Sequence, residues 1–185
     1  MKISRKTLLK SIFGSLIAAP IFGKNNDNQL MIDIRNDLKT SFKNSEKYTL
    51  TVFNQMPEDK LEWKYTPESM SFRTQFVHCI TFTASQLCGR LSLKNPYDGR
   101  KNEFWAALSK TQLEAELKEF YDWLIKTVDI LNDETLLKKE QFVGGEMPNW
   151  KIIIAMENHI IHHRGQAICY LRLNGITPVG YIGWA

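Results

Sequence analysis

The sequence is poor in cysteine and histidine and has no excess charge outside one short stretch, and each shortage excludes something. Cysteine occurs three times, as Cys79, Cys88 and Cys169, an odd number with no CxxC pair. No thiolate metal knuckle or CxxC redox pair can be written from that set. On one helix, Cys79 and Cys88 stand roughly 13 Å apart at 1.5 Å per residue. A disulfide spans no more than about 7 Å. All three therefore read as buried thiols that pack as small hydrophobes. Charge of one sign is lacking too. Lys2, Arg5, Lys6 and Lys10 are the only charged residues before position 24, and the rest of the chain carries 20 basic and 20 acidic side chains. A neutral body has no global field to hold phosphates, so nucleic-acid binding is not expected. There is no internal repeat, low-complexity tract or second domain. With 43% hydrophobic and 24% charged residues over 185 positions, the chain suits one ordinary globular domain with a real core.

The N-terminus holds the charge imbalance. MKISRKTLLK is basic, SIFGSLIAAPIFG is apolar, and the polar KNNDNQ follows. This is the layout of an export signal, and it assigns residues 1–24 to a leader and predicts an exported, periplasmic protein, with cytoplasmic residence or a disordered arm as the alternative. SRKTLLK resembles a twin-arginine signal with Lys6 in place of the second arginine. The nearest small residues for cleavage are Ala18-Ala19. The apolar run, about 13 residues, is short of the roughly 20 a spanning helix needs, so no stable membrane span is expected in the mature chain.

From residue 28 onward apolar residues recur at helical spacing. Leu30, Ile34, Leu38 and Phe42 step by four, and Val52 and Phe53 continue, predicting one helix over 28–55. Pro57 ends it. After the loop MPEDKLEWKYTPES, Ser69 or Ser71 is placed to cap a second helix marked by Phe72, Phe76, Ile80, Leu87 and Leu91. The turn signal NPYDG closes that helix. A third stretch from Lys101 to Leu131 places Trp105, Leu108, Leu113, Leu117, Phe120, Leu124, Val128 and Leu131 on one side, with Glu114–Lys118 as an outer ion pair. The long connection NDETLLKKEQFVGGEMPN suggests a cover, or a short extra strand or turn. The last helix, Asn149 to Leu173, stops at Asn174-Gly175. The apolar tail VGYIGWA is expected to pack back on the body. The predicted fold is all-α: a four-helix bundle over 28–185 with long loops after its first and third helices.

Three of the chain's four histidines crowd into ENHIIHHRGQ, as His159, His162 and His163; the fourth is His78 in FVHCITF. On a helix His159 and His163 lie about 40° apart and one turn up, a spacing at which two imidazoles reach one metal ion. The pair has no HExxH glutamate, so a metalloprotease motif is excluded. His162 points about 100° away from His163, toward the surface, another helix or another subunit. His78, midway along the second helix, is the only histidine left to complete the set. Three imidazoles that converge across a bundle leave a coordination position open, the catalytic arrangement for zinc. Nickel or iron(II) also accept imidazole. Gln166 and Tyr170 continue the face of His163 and could orient bound water or a substrate, or simply meet the neighbouring helix. Arg164 is expected to turn outward and anchor the bundle end through a carboxylate, or to meet an anionic substrate. Gly165 is expected to permit close helix approach.

HxxxHRGQ, here His159–Gln166, followed by AICYLRLNGITP, resembles the last helix of the DinB-like four-helix bundle proteins. YTLTVFNQMPEDKLEWKYTPESMSFRTQFVHCITF is similar to that family's first loop and second helix, with His78 at the position of its metal histidine. Tyr65 stands where that loop often has its first proline. The likeness covers roughly residues 30–180. It implies a divalent-metal site built from His78, His159 and His163, often in a homodimer. It also implies a small-molecule substrate, because family members include metal-dependent transferases that activate thiols such as bacillithiol or mycothiol, and proteins described as metal-dependent hydrolases. The alternative is a non-catalytic metal-binding or stress-response bundle, in which Glu157 or Tyr170 would close the coordination shell.

Overall fold

The computed structural model describes residues 21–183, with side chains from residue 28. Most of the leader assigned to residues 1–24 lies outside the described residues. The chain divides into two units, Met1–Arg35 and Asn36–Ala185. In the first, Gln29 Nε2 donates to Asp33 Oδ1 at 2.8 Å, one helical turn on. The second carries the bundle.

Helix α1 runs from Ile21 to Gln55, so it begins seven residues before the predicted start at 28 and includes the polar KNNDN segment. Its buried seam in the second unit is Leu38, Phe42, Ser45, Thr49, Val52 and Phe53. The strict four-residue step read from the sequence does not hold: Leu30 is exposed. Each step of four drifts about 40°, so only alternating steps of three and four keep one face inward.

Helix α2 spans Phe72–Leu91, and Ser71 caps it by accepting from Thr74 N. Phe53 of α1 packs edge-on against Phe76 at 5.1 Å and stacks on Phe72 at 6.3 Å. The α1–α2 loop is not loose. Leu61 is buried, Arg73 N donates to Leu61 O at 2.8 Å, and Arg73 Nε pairs with Glu62.

The predicted third helix is in fact two. Helix α3, Asn102–Ala107, ends at Leu108, whose backbone is extended; helix α4, Lys110–Ile130, starts afresh. Ser109 and Gln112 form a capping box, each side chain accepting from the other's backbone N–H. The sequence signal is Ser-x-x-Gln before an apolar run. Arg73 Nη1 satisfies the carbonyls of Trp105 and Leu108 at the break. Glu114 and Lys118 pair at 2.6 Å as expected.

After α4 comes the short helix α5, Asp133–Leu137, capped by Asn132. Strands β1 (Lys139–Phe142) and β2 (Gly145–Pro148) form an antiparallel hairpin with Phe142 opposite Gly145. A short extra strand was one reading of that loop. Helix α6, Asn149–Leu173, completes the four-helix bundle with α1, α2 and α4. The C-terminal segment packs back: Gln55 holds Thr177 O and Val179 N, and Tyr181 meets Tyr48 edge-on at 5.6 Å. No helix among the described residues is long and apolar enough to cross a membrane.

Candidate metal centre

Helix α2 delivers His78 and helix α6 delivers His159 and His163. One nitrogen from each ring lies within 4.8 Å of the other two. Ring centres are 4.5 Å apart for the α6 pair, and His78 stands 5.0 Å from His159 and 4.8 Å from His163. The Nε2 atoms of His159 and His163 face each other at 3.1 Å. Nitrogens of a tetrahedral zinc site, with bonds of about 2.0–2.1 Å, stand about 3.4 Å apart. The α6 pair is therefore close to ligating distance already, and the set with His78 spans no more than 4.8 Å. Phe82 stacks on His159 at 4.5 Å and forms an apolar wall beside it.

Gln75, which the sequence reading passed over, sets the chemistry of His163. Tyr170 OH donates to Met70 O at 2.8 Å, so its oxygen is free to accept from Gln75 Nε2 at 3.2 Å. The same nitrogen donates to Gln166 Oε1 at 3.0 Å. The amide oxygen of Gln75 then faces His163 Nδ1 at 2.5 Å. A carbonyl oxygen only accepts, so His163 carries its proton on Nδ1 and leaves the Nε2 lone pair aimed into the cluster. Gln75 sits three residues before His78 on the same helix face and is buried; a glutamine set among Phe72, Phe76 and Ile80 was the only sign in the sequence, and it does not name a partner.

Burial pushes the pKa of both His159 and His163 down to about 4, with neighbouring imidazoles adding to the effect. Burial lowers His78 as well. Neutral imidazole is the form that binds metal. The buried His159 Nδ1 has no hydrogen-bond partner, and no Asp, Glu or Cys joins the three histidines among the described residues. An all-nitrogen donor set of three converging imidazoles fits a borderline divalent ion such as zinc, and suits magnesium or calcium poorly.

The other residues singled out in the sequence divide. Tyr170 is buried, and the rings of Trp63 and Tyr65 meet it edge-on. Gln166 joins Gln75 on one side and lies 2.7 Å from His162 on the other. His162 is exposed and stays outside the cluster. Arg164 does not turn outward: it is buried and meets Ser45 and Thr49 rather than a carboxylate. Position 164 falls about 100° from 163 on the side that faces α1. Gly165 is not a close-approach site, since a Cβ there would meet nothing within 4 Å. Cys79 and Cys88 are buried, but Cys169 is exposed. Ten residues past His159, it lies about 80° off the inward face. There it lines a groove of about 280 Å³ with Tyr65, Gln166, Tyr170 and Leu173.

A helical bundle with three imidazoles gathered between two of its long helices defines a class of histidine-lined bundle proteins. Within that class the chain belongs to the DinB family, whose model matches residues 28–183. Two solved DinB-like proteins are similar in structure. YjoA of Bacillus subtilis is 17% identical, TM-score 0.63, covering 79% of this chain and 97% of that one. A DinB-like protein of Bacillus cereus is 20% identical, TM-score 0.64, covering 78% and 95%. YfiT of Bacillus subtilis, described as a probable metal-dependent hydrolase with an unusual four-helix bundle topology, is 14% identical, TM-score 0.59, covering 77% and 89%. Among curated proteins, the uncharacterized YrdA of Bacillus subtilis is 37% identical over 51 residues, 28% of this chain and 30% of that protein's length.

Proposed function

We propose that the protein is a metal-dependent enzyme in which His78, His159 and His163 hold a divalent ion, zinc by preference, at about one per chain. A divalent ion so held supplies Lewis-acid activation, lowering the pKa of a thiol or water into the neutral range. The observation that carries the reading is the convergence of three histidines from two helices, with no ligand atom of a fourth His, Cys, Asp or Glu joining the group among the described residues. The two residues that could close the shell are engaged elsewhere. Glu157 accepts from Ser41 Oγ at 2.5 Å, and Tyr170 OH is held by Met70 O and Gln75. An open position favours catalysis over a purely structural ion.

The chain's own groups then have distinct tasks. Gln75 keeps the His163 proton on Nδ1. Phe82 shields one side of His159. Gln166 and Tyr170 line the groove beside Cys169 and also bond the Gln75 amide, so the groove is linked to the centre through Gln75. The substrate is an electrophile that receives sulfur when a small thiol is the nucleophile, or an ester or amide when water is. The name of YfiT lends the hydrolytic version support from a distant relative.

Elemental analysis of gently purified protein tests the ion, and His78→Ala should lose it. Metal-loaded protein is then assayed with a thiol and a chromogenic electrophile, and separately with an ester and amide panel. Turnover in neither, across zinc, nickel and iron(II), would overturn the enzyme reading. The same proposal has the chain form a homodimer and leave the cytosol through its leader. Light scattering of the purified protein and fractionation of tagged cells check those two points.

A further inference from the structure

Helix α6 carries a second polar cluster on a face turned away from the histidines. At 100° per residue, Glu157 and Arg164 project within about 20° of each other and at least about 120° from the middle of the His159–His163 pair. They line a cavity of about 270 Å³ with Ser41 and Asn44 of α1, Asn158, and Tyr181 of the C-terminal segment.

Arg164 is only 5% exposed. Its Nη1 donates to Ser45 O at 3.2 Å, Ser45 Oγ at 2.9 Å and Thr49 Oγ1 at 3.1 Å. Its guanidinium lies 4.6 Å from the centre of the Tyr48 ring. All of these partners are neutral, and among the described residues no carboxylate forms an ion pair with it. A buried guanidinium is always charged, and its burial is costly until an opposite charge joins it. Glu157 is the negative group of the same cavity, with Ser41 Oγ as its hydrogen-bond partner. One cation and one anion thus face a space below the roughly 300–1,000 Å³ of drug-sized pockets. Phosphate would meet the Glu157 carboxylate. A lone amine would leave Arg164 uncompensated, and a lone carboxylate would leave Glu157 so.

We propose that this cavity binds a free α-amino acid, its carboxylate on Arg164 and its ammonium on Glu157. Asn44, Asn158 and Ser41 offer further hydrogen bonds, and Ile161 and the Tyr181 ring give the amino-acid side chain an apolar wall. The site is independent of the metal centre and does not rest on the proposed enzyme activity.

Isothermal titration of the full chain tests it, using the twenty amino acids, acetate, methylammonium and inorganic phosphate as probes. Metal-loaded and chelated protein are run side by side. At least one amino acid should bind saturably at one per chain, with acetate, methylammonium and phosphate at least about tenfold weaker. Chelation and His159→Ala should leave that binding in place. Glu157→Gln should weaken it about tenfold, one charge-assisted contact being lost. Arg164→Lys is a second variant, but Arg164 is buried and its replacement can unfold the bundle, so Glu157→Gln decides. The proposal is overturned if no amino acid binds up to about 10 mM, if phosphate binds as well, if Glu157→Gln changes nothing, or if chelation abolishes binding, which would place the amino acid on the ion.

Discussion

At the residue scale, a single amide orients the centre. Gln75 accepts from His163 with its oxygen and gives its nitrogen to Gln166 and Tyr170. Replacing it with leucine keeps the apolar volume but removes the partner that fixes the tautomer. Gln75→Leu should lower zinc affinity about 10–100-fold, as loss of an outer partner does elsewhere, with helical content unchanged; competition against a fluorescent chelator measures it. The imidazoles also make the metal-free protein acid-sensitive. His159 and His163 have folded pKa values of about 4, against an ordinary 6.5. Between those values the unfolded chain binds protons that the folded chain refuses, so stability falls as pH drops from 6.5 to 4 and levels off below. Chelated protein should therefore lose thermal stability through that window, and His159→Ala should flatten the decline. A profile unchanged by that substitution would mean the rings are not held neutral by burial. The three ligating candidates were legible because the helical period alone places His159 over His163, and one further histidine remained. Gln75 was not, because nothing in FRTQFVH says which side chain of α6 will stand opposite.

At the scale of elements, the third stretch shows how a local signal overrides a stripe. Trp105, Leu108 and Leu113 sit at helical spacing, yet Leu108 is extended and Ser109 starts α4 with its own cap. The apolar period survives the break because both pieces bury their apolar side: Trp105 and Leu113 are core residues. Periodicity reports the face and says little about continuity. Ser109→Ala removes an N-cap and should cost about 0.5–2 kcal/mol, read as a lower urea midpoint with an unchanged slope. The β1–β2 hairpin was foreseen only as a possible strand, because KEQFVGGEMP is short. Its turn depends on glycine where φ is +90° at Gly144. A β-branched residue is strained there, so Gly144→Val should destabilise the hairpin by roughly 1–3 kcal/mol. The readout is faster amide exchange in Lys139–Pro148, with the rest of the bundle protected.

At the scale of the molecule, the bundle was readable because four long amphipathic stretches leave few ways to bury their faces, while the histidines that join the second helix to the last were the one clue to which helices touch. Contacts settle that: Ser45 and Thr49 of α1 bond Tyr121 of α4, Arg164 of α6 reaches the same hydroxyls, and Gln75 ties α2 to α6. The centre therefore lies between two helices that already pack together, α2 and α6. An ion bound there should stabilise the folded chain without being needed to fold it, unlike the ion of a zinc finger. Binding to the folded state alone adds about 2.7 kcal/mol at a free concentration of 100 times Kd. For a chain of this size each kcal/mol moves Tm by about 2–4 °C, so zinc should raise Tm by about 5–10 °C. The rise should saturate and should vanish in His78→Ala and in His159→Ala. A rise that persists in both variants would place the ion elsewhere, with His162 on the exposed side of α6 the first group to examine. A chain that unfolds outright on chelation would instead show that the ion holds α2 and α6 together, and would return weight to the structural role.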